Sequence, residues 1–276
     1  MGRYSGGYTI IEVMIVIAIT GVLFLSSVLV FQQQQGRTGF SQAVQDLSSK
    51  IQNFASEVSA GTYDGSQGYF CAADASGNVS LTRINVDNSG CVFLGRVIQV
   101  NIGQGSLNTY AVIGTRDTYS GGRDTGQLAN TVDQSNPTLA TYTAGGNTTM
   151  VSEEDFQLPV GDIFVSSKDS NDTPETDLVG LYNNLQSSGG AAGSASNNLL
   201  LKFYNCNTGP TGNGCTTVAR INNCVATNTV NLCGTNAPIA SHWLLCVKDN
   251  SNRMAQLRVT NTTGGLSIKL AYDFCS

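Results

Sequence analysis

Between Arg3 and Arg37 the chain carries one charged side chain, Glu12, near the start of the apolar run Tyr8–Phe31 and five residues after the pair Gly6-Gly7. A helix of about 24 residues rising about 1.5 Å each covers the roughly 30 Å hydrocarbon core of a bilayer. A carboxylate there costs roughly 2.5–3.5 kcal/mol even on the lenient insertion scale, so a lone Glu needs compensation. Loss of the charge by protonation, snorkelling to the headgroups, and ion pairing with a cation brought by a neighbouring protein are the ways open to it. In a low-dielectric bundle the pair is strong and either charge alone is costly.

Gly7 followed by Tyr8-Thr9-Ile10-Ile11-Glu12 and an unbroken apolar helix resembles the type IV prepilin signature, in which a short polar leader ends in Gly. The resemblance implies that a membrane peptidase cuts after Gly7 and that Tyr8 becomes the N-methylated first residue, in place of the family's usual Phe. Glu12 is then the fifth residue of the mature chain, and it sets register by meeting the N-terminus of a neighbouring subunit in a helical filament. Many pilins carry a helix-distorting Pro further along the span; this sequence has Leu29 and its neighbours there, and Gly21 is the weak point of the run. The implied partners are other copies or related pilin subunits, the prepilin peptidase/methylase, and the membrane before assembly.

Composition is consistent with an extracellular address. The chain has 276 residues, a net charge of -5 and a pI of about 4.7. Its 14 Lys and Arg are scattered singly, so no general nucleic-acid binding by a basic stripe is expected. Eight cysteines, Cys71, Cys91, Cys206, Cys215, Cys224, Cys233, Cys246 and Cys275, fit disulfides in an oxidising compartment. Zinc needs close Cys pairs or histidines, and His242 is the only His. Nearest-neighbour pairing is the expectation, beginning with Cys71 and Cys91. A Cys246–Cys275 bridge resembles the C-terminal disulfide loop of many pilins. It meets a difficulty, because in a simple meander those two strands flank a third, about 10 Å apart, so Cys275 must extend past the sheet or bend back.

The elements that position these groups follow from periodicity. Gln32–Gln35, Gly36 and Gly39 read as a polar, flexible joint. From Phe40, the positions Phe40, Ala43, Val44, Leu47, Ile51, Phe54, Ala55 and Val58 make an apolar helical stripe, with Gln42, Gln45, Ser48, Lys50, Gln52 and Glu57 opposite. Beyond Ala60 the chain reads as strands and loops: Cys91–Ile102, Thr109–Thr115, Asn198–Asn205, and a closing three-strand antiparallel meander over Trp243–Lys248, Met254–Thr260 and Leu266–Phe274. The stretch 116–155 is polar and reads as a surface insertion, and 186–197 as a flexible loop.

The expected fold is α+β: a long N-terminal helix, half transmembrane and half amphipathic, packed on an antiparallel β-sheet head with long loops and disulfides, as in type IV pilins. Residues 1–7 are the leader, 8–31 the transmembrane and filament-core helix, 32–60 the joint and amphipathic helix, and 61–276 the extracellular head. Before assembly this is a single-pass cytoplasmic membrane protein with its head outside, and afterwards part of a surface filament. No Ser, Cys or Asp stands in a nucleophile motif, and His242 beside Trp243 reads as packing at a strand start, so no enzyme and no cofactor are expected. Asp169, Asn171, Asp172, Glu175 and Asp177 cluster oxygen ligands in the manner of a Ca²⁺ loop, without EF-hand spacing, and read as a solvated acidic turn. The alternatives are a minor pilin at the filament tip, whose head binds a surface or glycan ligand, and a pseudopilin of a type II secretion-like system.

Overall fold

The computed structural model describes residues 9–61, 70–74, 79–82, 91–120, 123–144, 147–150, 154–169, 178–185, 199–204, 217–226, 241–262 and 265–275. The chain falls into two compact units, Met1–Ala43 and Val44–Ser276.

Helix α1, Ile10–Ala60, runs unbroken for 51 residues. It passes through 32–39, the stretch read from sequence as a joint: Gly36 and Gly39 each cost about 1 kcal/mol relative to Ala, while the four glutamines before them are good helix formers. Within the first unit, Ile10–Val28 is long and apolar enough to cross a membrane and none of it is buried. Its hydroxyls are satisfied within the helix. Thr20 Oγ1 donates to the Val16 carbonyl at 2.6 Å and Ser26 Oγ to that of Val22 at 2.8 Å, which suits a setting without water.

In the second unit, Val44, Leu47, Ile51, Phe54, Ala55 and Val58 are buried, so the predicted stripe is the packed face. Ser48, expected on the opposite side, is buried as well, and Lys50 and Glu57 are only partly exposed because both bind across to the sheet.

The head is built on an antiparallel sheet in the spatial order Glu154–Gln157, Ser106–Thr115, Cys91–Val100, Leu178–Asn183, Leu199–Tyr204, with Thr138–Leu139 also pairing Ser106–Thr115. Its central strand bulges between Phe93 and Gly95, where a Cβ on Gly95 would stand 2.0 Å from the Leu181 carbonyl oxygen. One side of the sheet packs Leu94, Val97, Tyr110, Leu178 and Tyr182 with Ile221, Cys224 and Val225 of a second helix, α2, Val218–Ala226. Tyr182 and Tyr204 share a 2.6 Å hydrogen bond in that core, and burial pushes both phenols up.

A smaller sheet, Phe70–Ala73, Val79–Thr82, Thr141–Ala144 and Asn147–Met150, has one parallel pairing, and its Leu81 packs with Ala111 and Ile113. The stretch 116–155 therefore differs from the surface insertion expected. It holds an exposed hairpin, Asp117–Ser120 with Arg123–Leu128, and then Val132 and Leu139, which enter the core. Thr-rich strands with few apolar side chains leave no alternation to detect.

The C-terminal sheet is antiparallel in the order Ile163–Lys168, His242–Lys248, Met254–Thr262, Gly265–Tyr272, and its last three strands form the expected meander. Trp243, Leu245, Val247, Ala255, Leu257 and Val259 form its buried face. Trp243 Nε1 donates to Ser167 Oγ at 2.9 Å, and His242 sits at the strand start with Nδ1 3.1 Å from Ser241 Oγ.

Cys246 and Cys275 are joined, with Cα atoms 5.8 Å apart. The tail bends back to achieve this. Asp273 takes a left-handed φ of 62° and its N–H donates to the Met254 carbonyl at 2.8 Å, which carries Cys275 over the middle strand to within 3.7 Å of the Ala255 carbonyl oxygen. Cys91 and Cys224 each take part in a disulfide as well, though not with each other. Cys206, Cys215 and Cys233 lie outside the described residues, as does the side chain of Cys71. Breaking the 29-residue loop with Cys246→Ser and Cys275→Ser is expected to lower stability by about 2–4 kcal/mol. Thermal unfolding of the detergent-solubilised chain checks it.

Candidate functional site: the helix N-terminus and the latch on the head

Thr9 and Glu12 form a reciprocal cap at the start of α1. The Glu12 N–H donates to Thr9 Oγ1, and Glu12 Oε2 accepts from both the Thr9 N–H and the Thr9 hydroxyl, all at 3.3 Å. The first intrahelical bond, from the Val13 N–H to the Thr9 carbonyl, also measures 3.3 Å. This is a capping box on the pattern Thr-x-x-Glu. It matters more in lipid than in water, since the first N–H groups of a helix have no intrahelical partner and a bilayer offers none. Within one chain, then, one of the Glu12 oxygens holds the helix start. Gly7 and Tyr8 lie outside the described residues.

Thr9→Val is expected to remove this cap while leaving the Glu12 charge, destabilising the helix start by about 0.5–2 kcal/mol. Faster amide exchange at residues 10–12 in detergent, with membrane insertion unchanged, is the measurement; unchanged exchange would show that the cap contributes nothing.

In the head, one cluster joins the amphipathic half of α1 to the central sheet. Arg96, fully buried on the central strand, donates from Nε to Glu57 Oε2 at 2.7 Å, from Nη2 to Glu154 Oε1 at 3.3 Å and from Nη1 to Thr109 Oγ1 at 3.3 Å. Lys50 pairs with Glu154. The Arg96 guanidinium carbon lies 5.1 Å and Lys50 Nζ 5.2 Å from the Phe54 ring centroid. The buried guanidinium is tolerated because each of its nitrogens meets an acceptor, and two of those acceptors are carboxylates. Sequence reasoning missed this latch; the single signal was a charged residue, Arg96, inside a largely apolar strand.

In the turn between His242–Lys248 and Met254–Thr262, Asp249 accepts from the Ser251 and Arg253 N–H groups at 2.9 and 2.8 Å and from Arg253 Nε at 2.6 Å. Burial acts to raise its carboxyl, but these donors win and hold it below the usual carboxylate range. Asp162 is pushed up by burial and then by the Asp249 charge. Asp169 is buried at the end of Ile163–Lys168, while Asn171, Asp172, Glu175 and Asp177 lie outside the described residues. Among the described residues no group of His, Cys, Asp and Glu could hold a metal ion.

Residues 2–28 match the family model described as the prokaryotic N-terminal methylation motif. The chain carries a type IV prepilin-type signal. No curated protein and no solved structure matches the chain. The signal covers the apolar run as far as Val28 and both capping residues, and it supports a pilin-like or pseudopilin precursor of structural character whose N-terminal helix is suited to a membrane anchor.

Proposed function

We propose that this chain is a structural subunit of a type IV pilus-like filament. It enters the membrane as a precursor, is cut after Gly7, is N-methylated at Tyr8 and assembles through its apolar helix, with Glu12 setting register against the N-terminus of a neighbouring copy. The observation that carries the reading is the prepilin-type signal leading directly into a helix whose second half buries one face in a disulfide-bonded head. Cutting supplies the cation that the capped Glu12 can accept on its remaining oxygen. The filament supplies the low dielectric in which the pair is strong. The head faces the outside and Cys246–Cys275 persists there.

A tip location is favoured by one feature. The strand Arg123–Leu128 is exposed at every residue, so its hairpin projects polar side chains suited to contact with a surface or glycan ligand.

Gly7→Val is the test of processing. A branched side chain at the cleavage position is expected to leave an uncut, membrane-held precursor, detected as an intact mass that includes the leader. Mature protein beginning at Tyr8 from that variant would contradict the reading.

A further inference from the structure

The four strands of the C-terminal sheet contain no Asp or Glu, in a chain with 19 acidic against 14 basic residues. They carry Lys168, Lys248, Arg258 and Lys269, and the register puts all four on one face. Lys168 pairs with Leu244, Leu244 with Arg258 and Arg258 with Lys269, so three cations share one cross-strand row. Lys248 lies four residues along from Leu244 on the same face, the one opposite Trp243, Leu245 and Leu257. At about 4.8 Å per strand the row is roughly 14 Å wide.

Arg258 and Lys269 are exposed, stand directly opposite each other, and make no ion pair among the described residues. Like charges so placed destabilise a sheet. Lysine on an edge strand blocks unwanted strand pairing, which would explain Lys269 by itself. It does not explain Arg258, on an interior strand, aimed at the same spot.

From this juxtaposition we infer that the outer face of the C-terminal sheet, centred on Arg258 and Lys269, docks against the acidic surface of a second copy of this chain. The inference rests on the filament reading and names a head-to-head contact within it. Charge complementarity selects the partner: strands without carboxylates meet their complement on the remainder of the same acidic chain. Nucleic acid fits less well, since the whole chain is net -5. A contact of exposed charges is weak in isolation, but heads held side by side by their helices meet at high effective concentration.

The test uses the full-length protein in cells, comparing wild type, Arg258→Gln/Lys269→Gln and Arg258→Glu/Lys269→Glu. Sheared filaments are quantified after washing at low and raised salt. In parallel, purified detergent-solubilised chain is assayed for thermal unfolding and for binding a 30-base-pair DNA duplex. Both variants are expected to be cut before Tyr8 and to unfold as wild type does. The Glu pair should be at least about tenfold depleted from filaments, the Gln pair should fall between, and wild-type filaments should shed subunits as salt rises. Variants incorporated at wild-type level overturn the inference and leave the filament reading standing. Wild type absent from filaments overturns both. DNA binding that is lost in the Glu pair while incorporation stays normal replaces the second copy by nucleic acid and also overturns it.

Discussion

Glu12→Val is expected to enter the membrane at least as well as wild type and to be missing from sheared filaments. Removing the carboxylate relieves a cost of about 2.5–3.5 kcal/mol in the bilayer, partly offset by loss of the cap on Thr9, worth about 0.5–2 kcal/mol. In the bundle the same change leaves the neighbour's α-amine without a partner in a low-dielectric setting, where breaking an ion pair costs about 3–5 kcal/mol. Insertion and incorporation therefore separate. Glu12→Gln sharpens the result, because Gln at the third helical position can still complete a capping box but carries no charge. If charge pairing sets register, Gln fails in assembly as Val does. If Glu12→Gln assembles normally, the carboxylate serves the cap alone and register is set elsewhere.

The second large effect is an asymmetry at the Arg96 latch. Replacing Glu57 and Glu154 by Ala takes both carboxylates from a fully buried guanidinium, and is expected to destabilise the head by about 3–5 kcal/mol. For a domain of this size each kcal/mol moves the midpoint by roughly 2–4 °C, so a fall of about 10 °C is expected. Arg96→Met removes the charge and keeps the volume, while Glu57 and Glu154, both partly exposed, retain access to water and Glu154 keeps Lys50. It should cost far less. Circular-dichroism melts of the two variants decide the point, and Arg96→Met proving the more damaging would overturn the idea that the latch balances a buried cation.

Features written in neighbouring residues were legible in the sequence, and those made by distant ones were not. The signal is local, with Gly7, Tyr8 and Glu12 in one short run. The strands Cys91–Val100, His242–Lys248 and Gly265–Tyr272 are marked by apolar alternation or β-branched content. The Cys246–Cys275 bridge stands, and the bend that permits it rests on Asp273 in a left-handed conformation, which an Asp tolerates but does not announce. By contrast, Arg96 reaches partners 39 and 58 residues away, so Lys50 and Glu57 looked like ordinary solvated positions on a helix. Helix α2 is short, and its apolar residues Ile221, Cys224 and Val225 are too few to establish a period. The Thr9 cap is written plainly as Thr-x-x-Glu, but a carboxylate in a bilayer calls for a cation from another molecule, and that larger energy masks the local partner three residues before it.

The central claim, that this chain is cut before Tyr8 and built into a filament, is tested most directly by mass spectrometry of filaments sheared from cells. The expected subunit has an N-terminal peptide that begins with N-methylated Tyr8 and lacks 1–7. Filaments devoid of this chain, or a chain in them that still begins at Met1, would contradict it.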